Sequence, residues 1–266
     1  MTSPTPRIAI PEPTSTDTAY NQRSLPQYIR AVEAAGGIAI PISLHESPAA
    51  QASKLASCSA ILLPGSPADV DPARYGQEAV KACAAKDAAR EAADDVLLRD
   101  AFAHAKPILG ICYGLQSLNV WRRGTLIQDL PHLPENPGPG SRSTVNHQPG
   151  REVQNAHAAL LTPGSRLAHL APGKGQDELE LSVNSSHHQA IDRPGEQLLV
   201  AAISPVDGVI EALEGADAQQ FVVAVQWHPE RSYESSEASR ALFAAFLEAA
   251  RSWASSQSPS IASGQP

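Results

Sequence analysis

The chain has 266 residues, which is enough to bury a sizeable core as one large domain, and no segment repeats along it. Its formal net charge is −8 and its charged residues of both signs are dispersed, so it lacks the basic surface that a nucleic-acid binder needs. No apolar stretch reaches the roughly 20 residues that span a bilayer, and the N-terminus has no apolar signal segment. The sequence therefore predicts a cytoplasmic protein that binds neither nucleic acid nor membrane.

The first half of the chain alternates short apolar runs with stretches of helical pattern. The apolar runs are rich in Ile and Leu and end at Gly or Pro, as buried strands do. Strands that alternate with helices favour an α/β fold around a mostly parallel sheet. The predicted strands are 7–10, 37–42, 59–65 and 106–111, and the predicted helices are 24–37 and 86–105.

The second half of the chain is richer in β-forming segments. Residues 131–150 are rich in Pro, Gly, Ser and Asn and are predicted to form a loop. The segments after this loop favour added strands, some of them antiparallel, and the polar end of the chain has nothing to bury. We therefore expect one domain over residues 7–253, followed by a disordered tail over 254–266. The predicted added strands lie within 179–186, 197–205, 208–215 and 221–229.

The three cysteines are Cys58, Cys83 and Cys112. An odd number cannot all pair, and none of them lies in a closely spaced ligand motif, so neither a disulfide framework nor a structural zinc site is predicted. No metal is expected. Cys58 and Cys83 are interpreted as small hydrophobic residues of the core.

Cys112 lies at a predicted strand-to-helix turn, between Gly110 and Gly114. Small neighbours permit a sharp turn of this kind, which presents its side chain above the carboxyl end of the sheet. The positive end of the following helix favours a thiolate, and the Tyr113 N–H lies where an oxyanion could be held. By itself the motif leaves two interpretations open, a catalytic thiol and a cysteine buried for packing.

A thiolate nucleophile needs a base, and an apolar strand near the end of the chain leads into His228, Pro229 and Glu230. Residues i and i+2 of an extended segment point the same way, so Glu230 can reach the His228 ring and hold its tautomer. Pro229 favours an extended conformation at His228 and stiffens the pair. The alternative is a surface His-Pro-Glu turn, which leaves the apolar strand before it unexplained.

These motifs together resemble the class I glutamine amidotransferase-like superfamily. The resemblance is carried by "GICYGLQ" at 110–116 and "QWHPE" at 226–230. Further motifs narrow it to the γ-glutamyl hydrolase branch, and the chain is most similar to γ-glutamyl-γ-aminobutyrate hydrolases of the peptidase C26 type. The resemblance implies a flavodoxin-like α/β fold. The further motifs are "LPGSPADVDPARYG" (63–76), "LNVWRRGTLIQDL" (118–130) and "VNSSHHQAI" (183–191).

The resemblance also implies which residues act. It implies a catalytic triad of Cys112, His228 and Glu230. The turn after the third predicted strand would lend a second oxyanion N–H, from Gly65 or Ser66, beside that of the residue after the nucleophile.

The substrate contacts follow from the same resemblance. Gln116 matches a position that contacts the glutamyl group, and Ser186, His187 and His188 match a segment that receives the α-amino and α-carboxylate groups. For the two histidines, a polar loop bonded to itself is the alternative. Four more residues are assigned no catalytic role, since the histidines are expected to line loops and the aspartates to cap turns or helices: His147, His157, Asp69 and Asp71.

The sequence departs from the family pattern at three positions. Tyr113 stands where these hydrolases usually have Arg, so a fixed guanidinium beside the nucleophile is missing. Arg123 and Gly124 stand where "GG" usually precedes "TL", and Ser66 stands where many relatives have a second Gly. The departures at Tyr113 and Arg123 affect substrate detail, Ser66 is harmless if only its backbone N–H is used, and the implied triad stays intact.

The implied activity is hydrolysis of a γ-glutamyl amine to glutamate and amine through a glutamyl thioester, with no cofactor, plausibly in polyamine catabolism. The expected partner is a small γ-glutamyl amide, while the leaving amine and the oligomeric state, a homodimer included, stay open. One alternative is the glutaminase component of an amidotransferase, which delivers ammonia to a separate synthetase. Another is a regulatory or binding module that retains the site.

Overall fold

Residues 4–130, 145–171 and 179–257 are described by the structure, a computed structural model. Residues 131–144 of the loop predicted at 131–150 and the chain from 258 onwards lie outside these residues, while 145–150 form no helix or strand, as expected of a loop. The strands are β1 (Arg7–Pro11), β2 (Ile38–Ile42), β3 (Ala60–Leu63), β4 (Ile108–Ile111), β5 (Thr125–Ile127), β6 (His157–Leu161), β7 (Glu180–Val183), β8 (Ala190–Arg193), β9 (Leu198–Ile203), β10 (Ile210–Gly215) and β11 (Val222–Val225). The helices are α1 (Thr18–Ala34), α2 (Pro48–Leu55), α3 (Ala88–Ala103), α4 (Tyr113–Trp121), α5 (Arg166–Leu170) and α6 (Glu237–Gln257), with a 3₁₀ turn at Pro72–Tyr75.

The described strands form one sheet whose central part is parallel. Its order is β2-β1-β3-β4-β11-β10-β9-β6-β7, and β5 and β8 pair with each other beside β10. The pairs from β2 through β11 are parallel, and those beyond β11 are antiparallel. This arrangement confirms the predicted α/β class with a mostly parallel centre and added antiparallel strands. The order 2-1-3-4 is that of flavodoxin-like folds.

Both faces of the parallel part are covered, as buried parallel strands require. Side chains alternate between two hydrophobic clusters along each strand, so Ile8 and Ile10 lie in one cluster and Ala9 lies in the other. Helices α1 and α6 pack on the first face, where Val32 and Phe246 are fully buried. Helices α2, α3 and α4 pack on the second. This double cover explains the continuous apolar runs of β1, β3 and β4, whereas β2, predicted to be a buried strand, is an edge strand with Ile38 and Pro41 exposed.

Several boundaries differ from the sequence expectations. Helix α1 begins at Thr18 rather than 24, because the Asp17 carboxylate accepts the Tyr20 N–H and caps it. Helix α6 continues to Gln257, so residues 254–257, expected in the tail, are helical. Five further elements are short or have a mixed hydrophobic pattern, so the sequence periodicity does not predict them: α2, α5, β5, β6 and β8. No helix in the described part of the chain has the length and apolarity to cross a membrane.

Candidate active site

Three neighbouring parallel strands, β3, β4 and β11, end at the same edge of the sheet. Gly65 follows β3, Cys112 follows β4 and His228 follows β11. The three positions are in contact: a Cβ built on Gly65 would lie 2.9 Å from His228 Cε1 and 3.6 Å from Cys112 Cβ. Residues that are far apart in the sequence thus meet where open α/β sheets bind their ligands.

Cys112 occupies a strained turn. Its φ is +52° and its ψ is −106°, a conformation that is costly for a residue with a side chain and that recurs at functional sites. Its N–H donates to Val225 O at 2.8 Å, which joins the turn to β11. Gly114 lets α4 approach β3, because a Cβ there would lie 2.1 Å from Leu63 O. This is the geometry of a nucleophile elbow.

His228 and Glu230 form a buried pair. Glu230 Oε1 lies 2.8 Å from His228 Nδ1, and both side chains are at most 2% exposed. The Asn184 side chain fixes the His228 main chain, accepting its N–H and donating to its carbonyl. Burial opposes ionisation of Glu230, but His228, their hydrogen bond and Arg231 outweigh it and lower the pKa of this carboxyl. The ionised Glu230 therefore keeps the His228 Nδ1 proton in place and leaves Nε2 as the basic nitrogen.

Arg231 is the next residue and lies against the same ring. One of its guanidinium nitrogens is 3.1 Å from His228 Nε2, and another donates to Ser186 Oγ at 3.1 Å. Burial lowers the pKa of His228, and the Arg231 charge adds to this effect against the pull of Glu230. His228 is therefore neutral at neutral pH and can act as a base.

The Cys112 thiol is mostly buried at the cleft, and its environment favours the protonated form. Burial raises its pKa to about 12, and the Glu230 charge adds to this rise. Arg231, the Tyr113 N–H and the Gln226 amide, 3.5 Å from the sulfur, act in the opposite direction and do not compensate. The thiolate expected from the helix end is therefore not the resting form, because desolvation outweighs the helix end.

The oxyanion donors expected from the sequence lie beside the sulfur. The Tyr113 N–H forms a hydrogen bond with the Cys112 sulfur. The Gly65 N–H donates to the buried Tyr28 hydroxyl at 3.0 Å, so it is occupied, whereas Ser66 lines the cleft in front of Cys112.

A small cleft opens at this edge of the sheet. The Gln116 amide donates to Gln189 O at 3.2 Å and to Gln226 Oε1 at 3.3 Å, which orients its side chain at the cleft floor. The cleft brings together seven residues expected at the site: Ser66, Cys112, Tyr113, Gln116, Ser186, His187 and His188.

The two expected substrate histidines have different surroundings. His188 lies between Asp69 and Asp129, 3.1 Å from each, and its bond to Asp69 is the main cause that raises its pKa. The His187 ring is fully buried, with Nδ1 2.9 Å from Gln189 O and Nε2 facing Glu211. Burial lowers the pKa of His187 well below its usual value. His188 at the cleft wall therefore favours its protonated form, and His187, which points behind the wall, favours its neutral form.

The departure at Tyr113 has a structural explanation. The ring is buried in the cluster under α2, α3 and α4, with the Arg90 guanidinium carbon 4.7 Å from its centroid. A side chain at this position therefore packs inside the protein. Arg90 itself is fully buried and donates to Pro64 O at 2.7 Å, next to the oxyanion turn.

Sequence reasoning missed several residues that support the site. Arg231 directly follows the His-Pro-Glu motif, and this adjacency was the available signal. The others are Tyr28, Arg90, Asn184 and Gln226. Asn184 and Gln226 lie inside the motifs at 183–191 and 226–230, which was their signal. Tyr28 and Arg90 carry none, because they reach the site from helices α1 and α3.

The strand order, the Cys112 turn after β4 and His228 after β11 together are the features of the class I glutamine amidotransferase fold. A solved structure described as "a putative gmp synthase subunit a protein" from Thermoplasma acidophilum shares it, with a TM-score of 0.61 and 15% identity over 95% of this chain and 98% of that chain. The chain belongs to the Peptidase C26 family, whose model matches residues 8–230.

Two relatives illustrate this membership. A Mycobacterium tuberculosis protein named "Putative glutamine amidotransferase Rv2859c" is 39% identical over 232 residues, which are 87% of this chain and 68% of that protein. The "Gamma-glutamyl-gamma-aminobutyrate hydrolase PuuD" of Escherichia coli is 33% identical over 229 residues, 84% of this chain and 84% of that protein.

Proposed function

We propose that the protein is a cysteine-dependent hydrolase that cleaves the γ-glutamyl amide bond of γ-glutamyl amines, releasing glutamate and an amine. The observation that carries this proposal is the convergence of the strained Cys112 turn with the buried His228 and Glu230 pair. The name of the Escherichia coli relative supports the same bond as the target. The reaction would serve the breakdown of γ-glutamylated polyamine products.

In the proposed reaction, His228 takes the Cys112 proton while the sulfur attacks the γ-carbonyl carbon. The N–H groups of Ser66 and Tyr113 stabilise the oxyanion. His228 then gives its proton to the leaving amine, and a glutamyl thioester remains on Cys112. Water, deprotonated by the same imidazole, cleaves the thioester and restores the thiol.

The first step requires a local exchange of hydrogen bonds. In the structure, His228 Nε2 lies 3.1 Å from an Arg231 nitrogen, so the Arg231 N–H must give way before the Cys112 proton reaches the ring. Arg231 also holds the Ser186 hydroxyl at the cleft wall. A substrate carboxylate that reaches Arg231 would draw the guanidinium away from the ring and free Nε2.

The charge of the cleft wall suits the glutamyl half of the substrate. Two carboxylates, Asp69 and Asp129, flank the protonated His188, which leaves this wall with net negative charge. This wall stabilises the α-ammonium group of a glutamyl substrate. A substrate with an uncharged α-substituent would leave polar groups of the wall unpaired, which costs about 1–3 kcal/mol of binding free energy for each buried polar group. We therefore propose that selectivity lies mainly on the glutamyl side.

The test is glutamate release by the purified chain alone from a panel of γ-glutamyl amines. We expect several of them to be cleaved, with α-glutamyl amides and N-acetylated γ-glutamyl amides poor by comparison. Cys112→Ala should lose activity by several orders of magnitude. Cys58→Ala, a buried cysteine whose thiol donates to Lys54 O at 3.4 Å, is the matched control and should retain activity.

The second candidate is the glutaminase component of an amidotransferase, which the name of the Mycobacterium tuberculosis relative favours. In that case the pure chain would be inert toward every γ-glutamyl amine and would release glutamate from glutamine only after a synthetase partner is added. That result would overturn the hydrolase proposal. Activity of the isolated chain on γ-glutamyl amines would exclude the need for a partner.

A further inference from the structure

Three histidines and one glutamate meet behind the cleft wall. His147 comes from the segment 145–150, His157 from β6, His187 from the segment after β7 and Glu211 from β10. One ligand atom of each lies within 4.8 Å of the others. Glu211 Oε1 is 3.4 Å from His147 Nδ1, 3.6 Å from His157 Nε2 and 3.9 Å from His187 Nε2. All four side chains are at most 5% exposed.

The outer nitrogen of each ring faces an oxygen that accepts a hydrogen bond. His147 Nε2 lies 3.0 Å from the Asp207 carboxylate, and His157 Nδ1 lies 3.1 Å from the Ala158 carbonyl. His187 Nδ1 lies 2.9 Å from the Gln189 carbonyl. Because these oxygens take the ring N–H, the inner nitrogens carry lone pairs. Histidines that ligate metals are oriented in this way by carboxylates and main-chain carbonyls.

The inner atoms lack a hydrogen-bond partner among the residues that the structure describes. Buried acceptors that face one another are costly, and one proton can bridge only one pair of them. Five such acceptor atoms need a centre that attracts all of them at once. They are His147 Nδ1, His157 Nε2, His187 Nε2 and both carboxylate oxygens of Glu211.

We propose that His147, His157, His187 and Glu211 bind a Zn²⁺ ion. Zinc bonds of about 2.0–2.1 Å in a tetrahedron place the ligand atoms about 3.3 Å apart. The Glu211 oxygen lies 3.4–3.9 Å from the three nitrogens, and the four ligand atoms all lie within 4.8 Å of one another. Binding would therefore draw the Glu211 pairs together by several tenths of an ångström and the most distant pair by up to about 1.5 Å. Because protein side chains supply all four ligands and exclude water, the site has the character of a structural centre.

The ion would hold the wall of the cleft. The His187 N–H donates to His147 O at 2.9 Å, so the two ligand segments already lie side by side. Gln189 O accepts from the His187 ring at 2.9 Å and from the Gln116 amide at 3.2 Å. A bound Zn²⁺ therefore fixes the segment that carries His188 relative to Cys112 and the sheet. No cysteine takes part, so the spacing of cysteines could not have predicted this site.

The experiment uses the full chain without a histidine tag. Metal content is measured by mass spectrometry after purification, and the thermal midpoint is measured before and after chelation and after return of Zn²⁺. We expect about one zinc per chain, a lower midpoint for the stripped protein and recovery with one equivalent of Zn²⁺. X-ray absorption at the zinc edge should show nitrogen and oxygen ligands without sulfur, and Cys112→Ala should keep its zinc.

Two variants remove one ligand each, Glu211→Gln and His157→Gln. Both should lose stoichiometric zinc, at least about tenfold in affinity, and the zinc-dependent rise in midpoint. The matched control is His169→Gln, an exposed histidine of α5 bonded to Ser165 O, which should keep both.

Glu211→Gln also distinguishes the metal from its main competitor, a proton. If Glu211 is instead a protonated carboxyl in a metal-free cluster, the glutamine N–H replaces the carboxyl O–H as hydrogen-bond donor. The thermal midpoint of Glu211→Gln then equals that of the zinc-free wild type. That result, with no first-row metal bound and no effect of added Zn²⁺ on the midpoint, would overturn the proposal. Stoichiometric iron or manganese on the same ligands, or a sulfur ligand to zinc, would overturn it as well.

Discussion

At the level of single residues, Cys112 combines a strained backbone with a desolvated side chain. The turn presents the sulfur at the edge of the sheet, while burial raises its pKa to about 12. The lowered pKa of His228 keeps the imidazole neutral, so the resting pair is a thiol and a free base rather than an ion pair. In the proposed reaction the proton therefore moves when the sulfur attacks, with Glu230 orienting the His228 ring.

This protonation state predicts how Cys112 reacts with a neutral alkylating agent. The thiolate fraction should grow about tenfold per pH unit between about pH 7 and pH 10, because this range lies below the raised pKa. Mass spectrometry of the modified peptide gives the rate at each pH, and Cys112→Ala identifies the site. A plateau near neutral pH would contradict the prediction and indicate a preformed thiolate and imidazolium pair.

Glu230→Gln should impair the rate more than the binding. The amide no longer stabilises the imidazolium, so kcat should fall at least about tenfold with little change in KM. Glu230 raises the pKa of His228, so its removal lowers that pKa further. Activity needs the neutral ring, and the acid limb of kcat/KM should therefore move to lower pH.

The matched control for this variant is Glu234→Gln, which changes an exposed glutamate four residues later. Its pH profile should overlay that of the wild type. An unshifted acid limb and unchanged kcat in Glu230→Gln would show that Glu230 does not orient the base.

At the level of elements, α4 is held between two unusual backbone positions. At its start, Gly114 touches β3 through Leu63, whose carbonyl oxygen would lie 2.1 Å from an added Cβ. Gly114→Ala should therefore displace β3 or α4 and lower the free energy of unfolding by about 1–3 kcal/mol. Because β3 leads into Gly65 and Ser66, kcat should fall as well. Urea unfolding and initial rates measure the two effects, and unchanged values would contradict the packing argument.

At the end of α4, a substitution is expected to raise the free energy of unfolding rather than lower it. Arg123 has a φ of +66°, a conformation that glycine adopts without steric cost and a residue with a side chain does not. This conformation costs about 1–2 kcal/mol for a residue with a side chain, and glycine loses about 0.5–1 kcal/mol more entropy on folding. Arg123→Gly should therefore raise the free energy of unfolding by up to about 1 kcal/mol. Its ion pair with Glu196 is mostly exposed and adds little.

Thermal or urea unfolding of Arg123→Gly, beside the wild type, checks this expectation. Activity should be unchanged, since both side chains of the ion pair lie on the surface. A clear loss of stability would mean that the Arg123 contacts matter more than its backbone strain.

At the level of the whole molecule, Arg90 connects parts that form the site. Its guanidinium donates to Pro13 O, Pro64 O and Asp94, and it stacks on the Tyr113 ring. It thereby joins the chain after β1, the chain after β3 and helix α3 around one buried charge. This charge can be buried because Asp94 and two carbonyls satisfy it.

Arg90→Met should lower the free energy of unfolding by about 3–5 kcal/mol, because it leaves the Asp94 carboxylate buried and unpaired. The double variant Arg90→Met with Asp94→Leu should recover part of this loss, since no uncompensated charge remains. A double-mutant cycle by urea unfolding measures the coupling. Additive effects would show that the two side chains do not depend on each other.

The sequence predicted the parts of this protein whose signals are local. Four strands, three of them buried as expected, the α/β alternation and the two glycines beside Cys112 all depend on patterns within a few residues. The i, i+2 spacing similarly anticipated that Glu230 would face His228, which the structure places 2.8 Å apart. Such features follow from covalent geometry and side-chain periodicity, so they can be recognised before the fold is known.

Only the tertiary structure decided what depends on strand order and burial. The lone pairs of His147, His157, His187 and Glu211 converge because β6, β9 and β10 are neighbours, which no sequence spacing expresses. The Tyr28 hydroxyl of α1 accepts the Gly65 N–H after β3. Burial raises the pKa of the Cys112 thiol and so favours its protonated form. Long-range contacts and the loss of solvent are properties of the packed chain, and they set both the electrostatics of the site and the candidate metal centre.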